Sequence, residues 1–283
     1  DGIVRVDARG CTVVPGFVDA HTHVVYAGDR RDELRQRLAG ATYAEIAAAG
    51  GGILQTVRAT QTASEDDLVA LARVRLDEMA AGGTTTCEVK SGYGLTVESE
   101  LCQLRAIRRL DAEHAIDVVP TFLGAHEVPG EFRERPDDYV GLVIDEMIPR
   151  VAEASLAEWC DVFCETGAFT PDQSERILMA GVRAGLRPRI HADELAASGG
   201  ADVAARVGAR SADHLVFVGE RHADALAAAG VCAVLLPITA LCLRLGRYAP
   251  ARMLIDRGVA VALGTDLNPG AGVSPSMPFA MAL

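Results

Sequence analysis

Short runs of apolar and β-branched residues recur along the chain, and segments with helical spacing of apolar residues follow all but the last of these runs. Such runs are typical of buried strands, and apolar residues three or four positions apart are typical of amphipathic helices. The predicted strands cover residues 12–19, 84–89, 118–123, 159–164, 187–190, 212–216, 232–236 and 259–264. The predicted helices cover residues 65–81, 97–111, 137–154, 171–184, 198–207, 220–228 and 249–257.

This alternation predicts parallel strands joined by right-handed crossovers. Eight repeats favour closure into a (β/α)8 barrel of the α/β class, and an open, doubly wound sheet is the alternative. A barrel carries its catalytic groups at the carboxyl ends of the strands, and five of the seven histidines fall at such ends. The polar residues at predicted strand ends are His21, His23, Lys90, Tyr93, His126, Glu165, His191, Glu194, His214, Thr239, Asp266 and Asn268.

The first strand end carries two histidines separated by one residue. Because His21 and His23 follow an extended run, both imidazoles are expected to point to the same side. Alone, such a pair is as often structural as metal-binding, and Asp266 before Asn-Pro-Gly is more often a turn residue. With His191 they complete a set of three nitrogens and one oxygen, which borderline divalent metals accept. The four residues together therefore predict a metal centre at the barrel mouth.

Charge and cysteine content exclude several classes of partner. The 283 residues include 39 acidic and 27 basic side chains, and the net charge of -12 disfavours nucleic acid and anionic membrane surfaces. No apolar run reaches the length of a membrane span. The seven cysteines form no CxxC pair, which favours a cytoplasmic protein without a disulfide framework. The chain opens without Met and stops at an apolar helix start, so we expect both ends to be cut from a longer protein.

Several motifs resemble a known enzyme family. PGFVDAHTH, HADE, SADH and GTDLNPG resemble the amidohydrolase superfamily, and VYAGDR, GGGILQTVRAT, GTTTCEVKSGYGL, FLGAHEVP and DVFCETGAFT are similar to its imidazolonepropionase family. The similarity runs from about Val13 to the end of the chain. It implies one zinc or iron ion per chain and hydrolysis of 4-imidazolone-5-propanoate to N-formimidoyl-L-glutamate in histidine degradation. It also implies a β-sandwich, with residues 1–11 as its N-terminal remnant and residues 12–283 as a barrel truncated at the C-terminus.

The resemblance also assigns roles to individual residues. A carboxylated small-molecule substrate needs a cation, and Arg30 is expected to hold the propionate, although a solvated surface arginine is the alternative. Proton transfer is expected from three strand-end residues, with its division among them left open. The substrate contacts are Arg30, Tyr93, His126, Glu194, Asn268, Gly270 and Ala271, the catalytic residues are Glu194, His214 and Asp266, and the metal ligands are His21, His23, His191 and Asp266.

Other functions stay open at this point. Glu165 is a weak candidate for a second metal site, and a single ion is expected. A different reaction of the superfamily, such as nucleobase deamination or hydrolysis of another cyclic amide, would use the same ligands, but an uncharged base would not use Arg30. A non-catalytic barrel would lack some of the four ligands, all of which are present. The oligomeric state is open, a homodimer included.

Overall fold

Eight parallel strands, hydrogen-bonded in sequence order, form the centre of the computed structural model, which describes residues 4–41, 45 and 51–283. Backbone hydrogen bonds also join the segments that directly follow the first and last strands, from His23 N to Leu267 O (2.9 Å) and from Asp266 N to His21 O (2.9 Å). The sheet therefore closes into the predicted barrel, and the open-sheet alternative is wrong. The strands are β1 (Phe17–Asp19), β2 (Thr84–Lys90), β3 (Asp117–Ala125), β4 (Trp159–Cys164), β5 (Arg187–Ala192), β6 (Ser211–His214), β7 (Cys232–Leu235) and β8 (Val261–Leu263).

Helices surround the barrel in the expected alternation. Two of them begin with reciprocal side-chain caps, Ser64 with Asp67 and Thr170 with Gln173, which satisfy backbone N–H groups of the first turn. The helices are α1 (Arg31–Leu38), α2 (Ile53–Thr62), α3 (Glu65–Ala81), α4 (Val97–Glu113), α5 (Pro136–Leu142), α6 (Ile148–Glu153), α7 (Pro171–Arg183), α8 (Gly200–Val207), α9 (Glu220–Ala229), α10 (Pro237–Cys242), α11 (Ala251–Asp256) and α12 (Met277–Ala282).

Proline explains two differences from the predicted elements. The first strand was expected from residue 12, but it begins at Phe17, because Pro15 cannot donate a ladder hydrogen bond. The helix expected over 137–154 is divided by a π-helical segment, Val143–Met147. Pro149 cannot donate to the carbonyl of Asp145, so the helix widens where that bond would form.

The part of the chain that the structure describes has no strand before β1 and no disulfide bond. Residues 4–11, predicted as a remnant of a β-sandwich, form no strand, and residues 1–3 lie outside the described residues. All seven cysteines are free thiols. Among the residues that the structure describes, no helix combines the length and the apolar character needed to cross a membrane.

Candidate active site

A cavity of about 650 Å³ opens at the carboxyl ends of the strands. Every residue predicted for substrate binding or catalysis reaches its wall, and so do all the predicted metal ligands except His21, which is fully buried directly beneath it. The predicted residues on the wall are His23, Arg30, Tyr93, His126, His191, Glu194, His214, Asp266, Asn268, Gly270 and Ala271. The barrel therefore brings together positions that lie far apart in the sequence.

The four predicted metal ligands converge on one point. His23 Nε2 lies 3.2 Å from His21 Nε2 and 3.4 Å from His191 Nε2. Oδ1 of Asp266 lies 3.5 Å from His21 Nε2 and 3.4 Å from His23 Nε2. Bonds of about 2.1 Å from a tetrahedral ion give ligand separations of about 3.4 Å, because the edge of a tetrahedron is about 1.6 times its radius. These four separations match such a site, and the three histidines lie within 4.8 Å of one another, as do His21, His214 and Asp266. The donor set therefore fits a metal ion such as zinc.

Carboxylates behind two of the histidines set their orientation. Nδ1 of His21 lies 2.6 Å from Asp213 Oδ2, and Nδ1 of His191 lies 3.1 Å from Asp161 Oδ1. A carboxylate accepts a hydrogen bond from a protonated Nδ1, which leaves the unprotonated Nε2 facing the metal. Burial lowers the pKa of His21 well below its usual range, which favours the neutral ring that a metal needs. Nδ1 of His23 has no hydrogen-bond partner among the described residues.

Asp266 is held in a constrained conformation. Its φ of 51° is in the left-handed region, which non-glycine residues adopt uncommonly. The Thr239 hydroxyl donates to Oδ2 (2.6 Å), which leaves Oδ1 facing the histidines. Burial raises the pKa of the Asp266 carboxyl to about 6, against the opposing hydrogen bond from Thr239. A neighbouring cation would stabilise the ionised form of this buried carboxylate.

Glu194 and His214 form a buried pair beside this centre. Glu194 Oε2 lies 3.6 Å from His214 Nε2. Burial, followed by the charges of Asp266 and Glu165, raises the pKa of the Glu194 carboxyl well above its usual range. Burial lowers the pKa of His214. Glu194 thus favours its protonated form and His214 its unprotonated form. This arrangement suits an acid and a base.

Glu165 accepts three hydrogen bonds from the backbone. Its Oε2 accepts from the backbone N–H of Leu195 (2.8 Å) and Ala196 (3.4 Å), and its Oε1 accepts from Thr166 N (2.8 Å). These bonds fix the loop that carries Glu194. The structure therefore gives Glu165 a supporting role for this loop.

Arg30 lies inside the wall of the cavity rather than on a solvated surface, with only 6% of its surface exposed. Its Nε and Nη2 both donate to Glu33 Oε2, at 2.9 and 2.7 Å, and Glu33 Oε1 accepts from Gly52 N (2.7 Å). A Cβ at Gly270 would collide with the Arg30 guanidinium. Glycine at position 270 therefore makes room for the arginine at the cavity wall.

The last loop is organised by the Asn268 side chain. Its Oδ1 accepts from Gly270 N (2.8 Å) and Ala271 N (2.7 Å), and its Nδ2 donates to Asp266 O (2.7 Å). Asn268 thus braces the loop that joins the predicted metal ligand to Gly270. The sequence predicts that Asn268 contacts the substrate. The structure shows in addition that its side chain braces this loop.

Tyr93 and His126 form an aromatic wall. Their rings are 5.3 Å apart, and His126 stacks on His23 at 5.0 Å. His126 Nδ1 lies 3.0 Å from the carbonyl oxygen of Gly92. Burial and the neighbouring His191 lower the pKa of His126 to about 3, so the ring is neutral.

A buried carboxylate holds the loop of Tyr93. Glu100 accepts from the backbone N–H groups of Gly92 (3.1 Å), Gly94 (2.8 Å) and Leu95 (2.8 Å). Gln103 accepts from Tyr93 N (3.0 Å). These bonds place the Tyr93 ring at the cavity, although sequence reasoning gave neither Glu100 nor Gln103 a role.

Five charged residues beneath the histidines received no role from the sequence, although Lys90 was noted as a polar residue at a predicted strand end. All are buried, and they occupy the barrel interior just below the cavity: Glu88, Lys90, Asp161, Arg189 and Asp213. Strand alternation offered a signal, since Glu88 and Lys90 share one face of β2, and Arg189 shares its face of β5 with His191. Arg37 and Arg244 also line the cavity without having been predicted.

The barrel and its histidine and carboxylate centre define the class of protein. The model of the amidohydrolase family matches residues 12–283, and the chain belongs to this family. Its members are metal-dependent, and the histidine-rich site offers the ligands for a metal ion.

Sequence comparison gives more specific relatives. The chain is 54% identical over 278 residues to the imidazolonepropionase of Geobacillus kaustophilus, an alignment that covers 98% of this chain and 65% of the relative. It is 51% identical over 278 residues to that of Alkaliphilus metalliredigens, covering 98% and 66%. The chain thus spans just under two thirds of the length of these relatives.

Solved structures support the fold alone. The 5-methylcytosine deaminase of Klebsiella pneumoniae superposes with a TM-score of 0.70 at 16% identity, covering 98% of this chain and 70% of that one. The guanine deaminase of C. acetobutylicum gives a TM-score of 0.64 at 14% identity, covering 95% and 64%.

Proposed function

We propose that this protein hydrolyses 4-imidazolone-5-propanoate to N-formimidoyl-L-glutamate, with one zinc or iron ion held by His21, His23, His191 and Asp266. The observation that carries the proposal is one cavity whose wall holds three of these four donors and a buried arginine, Arg30, with His21 directly beneath it. The relatives of about 50% identity are imidazolonepropionases, which supports the choice of substrate.

Arg30 binds the propionate of the substrate. A guanidinium holds a carboxylate through charge-assisted hydrogen bonds, and these are stronger inside a wall that excludes water. Gly270 permits the approach, because any larger residue would occupy the space of the guanidinium. This contact orients the ring toward the histidines.

The ring sits between the aromatic wall and the acid–base pair. Tyr93 and His126 contact one face of the substrate, and the neutral His126 adds no competing charge. A bound divalent metal supplies a Lewis acid that polarises the ring carbonyl and makes water nucleophilic near neutral pH. Asp266 accepts the proton that the attacking water loses, because its Oδ1 faces the histidines.

Glu194 donates the proton that completes ring opening. Water adds to the carbonyl carbon, the ring C–N bond breaks, and the leaving nitrogen takes a proton from the Glu194 carboxyl, whose raised pKa favours the protonated form. His214, which is neutral and 3.6 Å from Glu194, stabilises charge on the carbonyl oxygen and assists Asp266.

The proposal is tested by metal analysis of the purified protein together with an absorbance assay for loss of the imidazolone ring. We expect close to one equivalent of zinc or iron, and ring loss that stops after chelation and returns with the metal. Asp266→Asn is the matched variant, since it keeps the side-chain shape and removes the anionic ligand. A protein that binds metal but releases ammonia from cytosine or guanine, with no ring opening of the imidazolone, would instead establish nucleobase deamination.

A further inference from the structure

The barrel interior beneath the proposed metal centre is ionic. Two cations and three anions occupy it, each at most 6% exposed: Lys90, Arg189, Glu88, Asp161 and Asp213. Barrel interiors are ordinarily packed with branched apolar side chains. None of these five groups takes part in the chemistry proposed above.

The five charges form one connected network. Lys90 Nζ donates to Asp161 Oδ2 (2.8 Å) and to Glu88 Oε1 (2.9 Å). Arg189 Nη2 donates to Asp213 Oδ2 (2.6 Å), and Nη1 lies 3.3 Å from Glu88 Oε1. Glu88 therefore links the two cations. Each cation hydrogen-bonds one aspartate and lies farther from the other, with Lys90 Nζ 4.0 Å from Asp213 Oδ2 and Arg189 Nε 3.8 Å from Asp161 Oδ2.

The same two aspartates face the proposed metal ligands. Asp161 uses Oδ2 for Lys90 and Oδ1 for His191 Nδ1 (3.1 Å). Asp213 Oδ2 serves both Arg189 and His21 Nδ1 (2.6 Å). An ionised carboxylate only accepts hydrogen bonds, so each histidine must carry its ring proton on Nδ1.

We propose that Lys90 and Arg189 are positioning residues, which fix Asp161 and Asp213 as acceptors and thereby hold His191 and His21 in the Nδ1–H tautomer. That tautomer leaves both Nε2 atoms unprotonated at the point where the four ligands meet. The proposal rests on the metal site of the proposed function, but the tautomer exists before any metal binds.

Stability alone is a weak explanation for this network. Replacing buried ion pairs by well-packed apolar residues is often neutral or stabilising, because removing charges from water is costly. A fixed tautomer gives the network a function that apolar packing cannot supply. Carboxylate partners of metal-bound histidines contribute about 10–100-fold to metal affinity or activity.

The test is the ring tautomer in metal-free protein labelled with ¹⁵N-histidine, in wild type, Lys90→Met and Arg189→Met. Signals are assigned with His21→Gln and His191→Gln. We expect both rings as Nδ1–H in wild type, a rise of the Nε2–H form of His191 in Lys90→Met, and the same rise for His21 in Arg189→Met. Glu100→Gln is the control, since it neutralises a buried charge that contacts neither ring, and both tautomers should persist.

Metal affinity, measured by competition with a chelator, gives the second readout. We expect Lys90→Met to weaken zinc binding about 10–100-fold. Loss of a nearby cation would by itself strengthen binding, so this sign separates positioning from simple charge repulsion. Unchanged tautomers and unchanged or tighter zinc binding, with only a lower Tm, would show that the network is purely structural.

Two results distinguish a failure of this inference from a failure of the proposed function. If Lys90→Met does not fold, Asp161→Asn replaces it, and it should alter the tautomer of His191 while His21 stays Nδ1–H; an unaltered His191 ring overturns the inference. Wild-type protein that shows both Nδ1–H rings but binds no metal would overturn the proposed function and leave the tautomer assignment in place.

Discussion

Replacing Arg30 by Met should isolate its interaction with the substrate carboxylate. Methionine keeps much of the apolar stem and removes the guanidinium, which is buried in the cavity wall. A hydrogen bond to a charged group is worth about 1.5–3 kcal/mol. Because about 1.4 kcal/mol corresponds to a factor of ten, KM should rise about 10–150-fold. The contact exists in ground and transition states alike, so kcat should change much less.

Because Arg30 is paired with Glu33, the experiment must separate a loss of stability from a loss of substrate binding. Removing one partner of a buried ion pair costs about 3–5 kcal/mol of stability, because the other charge is left uncompensated. Arg30→Met should therefore lower Tm, and the double variant Arg30→Met with Glu33→Gln should recover part of this loss without recovering KM. Glu33→Gln alone retains the guanidinium, and its KM should stay close to that of wild type.

A substrate lacking the propionate completes the assay. Ring opening of unsubstituted 4-imidazolone is followed by absorbance beside that of 4-imidazolone-5-propanoate, in wild type and in Arg30→Met. The wild-type preference for the carboxylated substrate should largely disappear in the variant. A preference that survives the loss of Arg30 would place the propionate elsewhere, with Arg37 and Arg244 as the other arginines on the cavity wall.

Three further predictions address catalysis, the last loop and stability. Glu194→Gln should lower kcat about a hundredfold or more with unchanged metal content, and near-normal kcat would assign proton delivery to another group. Gly270→Ala should displace the Arg30 guanidinium and raise KM in the same direction as Arg30→Met; an unchanged KM would remove this contact from the model of binding. Glu100→Ala leaves three buried N–H groups without their acceptor and should lower the free energy of unfolding in urea by about 2–4 kcal/mol, whereas a loss below about 0.5 kcal/mol would contradict this role.

The barrel could be predicted because the sequence patterns that indicate its strands and helices each span only a few neighbouring residues. Apolar runs, helix spacing and polar strand ends all lie within short windows, and β4 begins and ends at the predicted residues, Trp159–Cys164. The candidate site followed from the barrel, since strand order alone brings residues such as His23 and His191 to one mouth. Two local exceptions came from prolines, whose missing N–H shortened β1 and widened the helix before Pro149. The helices α1, α2 and α10 were not predicted.

The ionic network was not predictable in the same way. Asp161 and Asp213 stand within predicted strands among apolar neighbours, and the sequence contains no register between strands. Which histidine each aspartate meets depends on the alignment of the strands. Asp213 stands opposite His191 in the register of β5 and β6, yet its side chain hydrogen-bonds His21. Similarly, Arg30 was expected to be exposed or substrate-bound, and its partner Glu33 follows only from the helix geometry of α1.

The seam that closes the barrel coincides with the proposed metal centre. The backbone of Asp266, just after β8, bonds to that of His21, just after β1, and the side chains of both belong to the proposed ligand set. During synthesis on the ribosome, the histidines after β1 emerge long before Asp266. The complete site can therefore assemble only after nearly the whole barrel has been translated, and the growing chain holds at most a partial set of ligands until then. Under the proposed function, capture of the ion would be a late step that joins the first strand to the last.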